Sequence, residues 1–147
     1  MSSTNSILMS EEWAVVGTID PDANGTGAIT SDVVDMSKYD AICAIVMAGT
    51  LGTSATLDAK LQASTATGTG MADITGKAIT QLVKATDDDK QAIINLSETE
   101  VDPGDRYVQL VMTVGTATSD CGAVILGRAK HRPANANDLA SVAEIVS

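Results

Sequence analysis

Residues 55–64, ATLDAKLQAS, alternate apolar and polar without a break. Ala55, Leu57, Ala59, Leu61 and Ala63 share one parity, and Thr56, Asp58, Lys60, Gln62 and Ser64 share the other. Successive side chains of an extended chain point to opposite faces, so the segment is a strand with one buried and one wetted side. The pattern recurs. RYVQLVMTVGT sets Val108, Leu110, Met112 and Val114 against Tyr107, Gln109, Val111 and Thr113, and KQAIINLSE sets Ala92, Ile94 and Leu96 against Gln91, Ile93 and Asn95. WAVVGTID, GAVILGRAK and residues 28–35, 41–48 and 74–83 bring the candidates to about eight strands.

Gly, Pro, Ser, Thr and Asp clusters separate these runs at 48–56, 64–72, 101–105 and 114–122. They are turn chemistry, and no amphipathic helix of ordinary length interrupts them before the end of the chain. The 147 residues are enough for one domain with one core. Hydrophobic residues make up 44%, with no Phe, one Trp and two Tyr, so the interior is built from small and β-branched side chains. Such residues fill a thin layer between packed sheets. The expectation is an all-β, antiparallel two-sheet sandwich of jelly-roll type, ending in a short C-terminal helix or arm.

Two segments depart from simple alternation. AICAIVMA, residues 41–48, is apolar on both parities, so one face meets the core and the other calls for cover from a loop, a terminus or another subunit. In the tail, RPANANDLASVAEIVS, Pro133 ends the last strand. Asn137 or Asp138 then caps a short helix with Leu139, Val142, Ala143 and Val146 along one side. The division expected is an N-terminal arm over 1–12, a sandwich over 13–133 and a C-terminal arm with the short helix over 134–147.

Several functions lose ground on composition. Net charge is -10, from 19 acidic and 9 basic residues, which repels a phosphate backbone and argues against direct nucleic-acid binding. The first residues, MSSTNSILMSEEW, show no basic patch followed by a long apolar run, and 41–48 is too short to span a bilayer, so neither a signal peptide nor a membrane is expected. Cys43 and Cys121 make no disulfide framework and, with His131 alone, no zinc constellation; they read as small buried hydrophobes.

Three local signals bear on chemistry. In TIDPDANGTGAITSD, Asp20, Asp22, Asn24 and Gly25 spell the start of a calcium loop, but Ser31 stands at its twelfth position, Gly27 at its eighth, and strands flank it. Asn24-Gly25 is also a strong hairpin signal, and a β-hairpin loop is the expectation. Asp87, Asp88 and Asp89 diverge along an extended chain, so they read as a solvated loop. His131 lies between Lys130 and Arg132 with no nucleophile elbow, Walker loop or dinucleotide fingerprint in the sequence, so no catalytic residue, cofactor or metal is assigned. Trp13, Tyr39 and Tyr107 are the aromatics from which a carbohydrate-binding sandwich would have to build its platform.

The order of SKYDAICAIVMAGT, ATLDAKLQAST, DITGKAITQL, DDKQAIINLS, RYVQLVMTVGT, AVILGRAKHRP and NDLASVAEIVS resembles the small jelly-roll capsid decoration (cement) proteins of tailed bacteriophages, from about residue 28 onward. The resemblance implies a virion protein without an active site, made in the host cytoplasm and placed on the capsid exterior. Its partners would be the major capsid protein and its own copies, as a dimer or trimer. On this reading Ile7, Leu8, Met9 and Trp13 near the start, and Leu139, Val142, Ile145 and Val146 near the end, reach adjacent subunits. The alternatives are another virion component, in the tail or a head fibre, and a carbohydrate-binding module.

Overall fold

The runs with period-two apolar spacing are extended in the computed structural model, which describes residues 8–147, and the candidates at 28–35 and 74–83 are each broken into two strands. The strands are β1 Trp13–Asn24, β2 Gly27–Thr30, β3 Val34–Asp35, β4 Tyr39–Ala48 and β5 Thr56–Ser64. They continue as β6 Ala72–Ala78, β7 Leu82–Val83, β8 Gln91–Ser97, β9 Tyr107–Gly115 and β10 Ser119–Ala129. One sheet has the order β1-β10-β4-β8, and the other β2-β9-β5-β6, with β3 also on β9 and β7 also on β5. All pairings are antiparallel. Because β2 and β3 share one edge and β6 and β7 share another, ten strands fill eight positions. The chain changes sheet between β1 and β2, β3 and β4, β4 and β5, β7 and β8, β8 and β9, and β9 and β10. That order is a jelly roll.

Registers explain how a core without phenylalanine closes. On β5 and β9, Ala59 lies opposite Met112 and Ala63 opposite Val108, while Leu61 meets Leu110. On β10 and β4, Ala123 lies opposite Val46, Ile125 opposite Ala44 and Gly127 opposite Ile42. Small residues face large ones across the ladders, so the inner faces interdigitate without bulky rings. The one large aromatic in the core, Tyr39, lies against Gly127, where an added Cβ would come within 2.8 Å of its ring.

Single side chains hold the interruptions in the second sheet. Between β2 and β3, the Ser31 amide donates to the Leu110 carbonyl at 2.9 Å, and the Leu110 amide donates to Ser31 Oγ at 2.9 Å. The hydroxyl replaces a backbone acceptor where the strand breaks, so a buried donor stays satisfied. Asp87 and Asp88 are also engaged rather than simply solvated. Asp87 accepts from the Val83 amide at 2.8 Å, and Asp88 accepts from the Leu51 amide at 3.0 Å and from Lys84 at 2.6 Å. Together they fix the helical turn Lys84–Asp87 to the loop after β4.

Two expectations are corrected. Asn24-Gly25 does not turn a hairpin, because β1 belongs to one sheet and β2 to the other. The segment is a corner between sheets, with Gly27 rather than Gly25 at positive φ (126°). Asn24 Nδ2 donates to the Cys121 carbonyl at 2.8 Å and to its own Asp22 carbonyl at 3.2 Å, closing the end of the β1–β10 ladder. The local turn signal yields to a long-range pairing that buries more apolar surface.

The C-terminal helix is likewise absent: a 3₁₀ turn spans Ala134–Asn137, and no helix follows it. Ala134 is fully buried, the Leu139 amide donates to the Val15 carbonyl at 2.9 Å, and the Val15 amide donates to Asp138 Oδ1 at 2.7 Å. The side chain expected to cap a helix instead covers the edge of β1. Fewer than a dozen residues cannot nucleate a helix strongly enough to compete.

At the end of the sandwich where β3 begins to pair with β9, Arg106 forks onto Asp35. Nε donates to Oδ1 at 2.8 Å and Nη2 to Oδ2 at 2.8 Å, while the Ser37 amide adds a third bond at 3.0 Å. The Arg106 guanidinium, helped by Ser37, holds the Asp35 carboxyl well below the usual carboxylate range. A depressed carboxylate contributes stability above its unfolded value of about 4, and that contribution fades as pH falls toward the folded value. Asp35→Asn is therefore expected to lower the melting temperature at neutral pH. The gap from wild type should narrow steadily below about pH 4 in melts across an acid series. A gap independent of pH would refute this account.

Candidate interaction surface

The outer face of the β1-β10-β4-β8 sheet answers the question raised by AICAIVMA. Ile42, Ala44, Val46 and Ala48 are buried between the sheets, which turns Ala41, Cys43, Ile45 and Met47 outward. Ile45 lies in register with Val124 on β10 and Ile93 on β8, so three aliphatic side chains cross three strands side by side. In the next row Cys43 lies opposite Leu126, which lies opposite Val15 on β1. Ile93 is 60% exposed and Met47 51%. The centre of this face carries no charge. Gln91, Asn95 and Ser97 line it on β8, and Arg128 stands at one end, paired with Glu12 at 3.2 Å. An uncharged aliphatic centre inside a polar margin is the anatomy of a protein-binding surface.

Two depressions lie on this face. One, of about 330 Å³, is bounded by Met9, Ser10, Trp13, Cys43 and Leu126. The other, of about 540 Å³, runs over β10 between β1 and β4. Its origin is local. β1 shifts register between Ile19 and Asp22, which carries Pro21 over Gly122, directly opposite Met47. A Cβ on Gly122 would sit 2.7 Å from Pro21 Cα and 2.9 Å from the Ile19 carbonyl oxygen, so glycine is required for the approach.

Of the residues singled out from the sequence, Met9 and Trp13 bound a depression on this face and Leu139 lies at its β1 edge. Ile7 lies outside the described residues. Leu8 and Met9 are exposed beside the helical turn Met9–Glu12, and Trp13 opens β1 half-buried. Leu139 is pinned to Val15, Val142 closes a turn back to the Leu139 carbonyl at 3.0 Å, and Ile145 and Val146 are exposed. The structure thus brings the N-terminal turn and the C-terminal arm together along β1. Ile93, Val124 and Leu126 also belong to this surface and are not among the residues singled out from the sequence. The outward residue Ile93 in KQAIINLSE, an isoleucine where alternation asks for a polar residue, was the signal available.

The remaining candidates do not converge. Cys121 is buried and Cys43 half-buried, and burial pushes both thiols up, so they stay protonated at neutral pH. His131 is exposed. Tyr39 is buried, and Tyr107 is half-buried with Arg106 at 5.3 Å from its ring, so neither joins Trp13 in an open aromatic platform. Among the described residues no group of three or more His, Cys, Asp or Glu is placed to hold a metal ion.

No protein-family model matches the sequence, and no curated protein matches it significantly. Among solved structures, a chain in the cryo-EM structure of broad bean stain virus is similar over 90% of this chain and 91% of its own, at 11% identity and a TM-score of 0.45. A chain of the cowpea mosaic virus top component, naturally occurring empty particles, is similar over 90% of this chain and 94% of its own, at 8% identity and a TM-score of 0.38. The jelly roll itself is established by the strand order and ladders of the present structure.

Proposed function

We propose that this chain is a virion structural protein, a decoration or cement protein that sits on the exterior of a phage head. There it bridges subunits of the major capsid protein. The observation that carries the reading is the aliphatic, uncharged outer face of the β1-β10-β4-β8 sheet, flanked by both terminal segments. Its motif order, which resembles such proteins, supports the same reading. Adhesion needs buried apolar contact area rather than a reactive group, and this face supplies it. The acidic surface suits the outside of a shell, away from packaged DNA. Leu8, Met9 and Trp13, and across β1 Val142, Ile145 and Val146, extend the contact onto neighbouring subunits or copies.

The test is co-sedimentation of the purified protein with phage shells stripped of it. Saturation at a fixed ratio to the major capsid protein is expected, and the ratio distinguishes twofold from threefold sites. Binding to tails or to glycans in place of shells would overturn the reading.

A further inference from the structure

We infer that the groove over β10 receives an extended apolar segment carrying a lysine or arginine, supplied by a protein other than a second copy of this chain. The inference rests on the shell-binding role and names the chemistry of the partner segment.

The groove holds about 540 Å³. Pro21, Met47, Gly122 and Val124 give it an apolar lining, and Asp20 and Asp120 stand on its rim. Ser141, beyond the point where the arm is pinned to β1, adjoins it. An aliphatic side chain seated against Met47 and Val124 would leave the next polar group of its segment beside two carboxylates.

Asp20 and Asp120 form no salt bridge and no side-chain hydrogen bond among the described residues. The described residues of their own chain have almost no unpaired cation to offer. Among the described residues, Lys60, Lys77, Lys84, Lys90, Arg106, Arg128, Lys130 and Arg132 of the nine lysines and arginines are paired with acids, which leaves Lys38. A second copy would bring a surface of net charge -10 to an acidic rim. Its exposed arm would bring Ile145 and Val146 together with Glu144. Like charges at a rim are repulsive, and the complementary occupant is apolar with a cation.

Full-length wild type and an Asp20→Asn/Asp120→Asn double variant are to be titrated against stripped shells at about 0.05 M and about 0.5 M salt. The variant is expected to bind roughly fivefold to tenfold more weakly at low salt, and to lose most of the wild type's salt dependence, with an unchanged melting temperature. Asp120→Lys should weaken binding further than Asp120→Asn does, since it places a cation against a cation. Equal binding by wild type and the double variant at both salts would overturn the inference. So would a double variant whose altered property is self-association in sedimentation without shells, because the occupant would then be a second copy. Wild type that binds no shell at all would retire the shell role, and the inference with it.

Discussion

Replacing Met47 and Ile93 together with lysine is expected to weaken binding to stripped shells by more than about 100-fold while leaving the melting temperature nearly unchanged. The two side chains stand 51% and 60% exposed on adjacent strands of the outer face, so lysine ammonium groups there remain in water in the free protein. Substitutions at such positions usually change stability by no more than about 0.5 kcal/mol. In the bound state the same two charges would be trapped in an aliphatic interface beside Ile45 and Val124, without partners. Burying unpaired charge costs several kcal/mol, and about 2.7 kcal/mol already corresponds to 100-fold. Shell titrations and thermal melts on the same samples check both halves. Unaltered affinity would move the adhesive surface elsewhere on the molecule.

Leu110→Ala should have the opposite profile, a large loss of stability that arises in the core rather than at the surface. Leu110 is fully buried, in register with Leu61, and its backbone amide is the donor to Ser31 Oγ. Its neighbours on β5 are alanines at Ala59 and Ala63, which have no side-chain length with which to fill a void. Removing a buried leucine costs about 2–5 kcal/mol, with the high end reached where the surroundings cannot collapse. About 3 kcal/mol is expected here, a fall of roughly 10 °C for a chain of this size. Denaturant titration reads it directly. A cost below about 1 kcal/mol would mean that the small-against-large packing is looser than the registers imply.

The strands were legible because one face of each is buried, and burial writes itself as a period of two. Where a strand is apolar on both parities, as at residues 41–48, the same logic calls for cover from a loop, a terminus or another subunit. The apolar outer face as a whole is less legible, since it is assembled from β4, β8 and β10, whose registers cannot be read from any one segment. The corner at Asn24-Gly25 departs from its local turn signal for a related reason. A dipeptide reports local turn preference, whereas the partner of β1 is β10, about a hundred residues away. The C-terminal arm shows the same competition. Asp138 has the right chemistry for a helix cap, but the exposed amide of Val15 on an open sheet edge is the donor it meets. Three consecutive aspartates looked like a solvated loop, and only the fold shows the Val83 and Leu51 amides that two of them satisfy.

Oxidative footprinting of methionines in free and shell-bound protein tests the central claim most directly. Met47 lies on the outer face of the β1-β10-β4-β8 sheet, and Met71 lies in the connection between β5 and β6 of the other sheet, so each chain carries its own reference. If that outer face adheres to the shell, Met47 is protected several-fold on binding and Met71 is not. Equal oxidation of Met47 in the free and bound states, at saturating occupancy, would contradict the account.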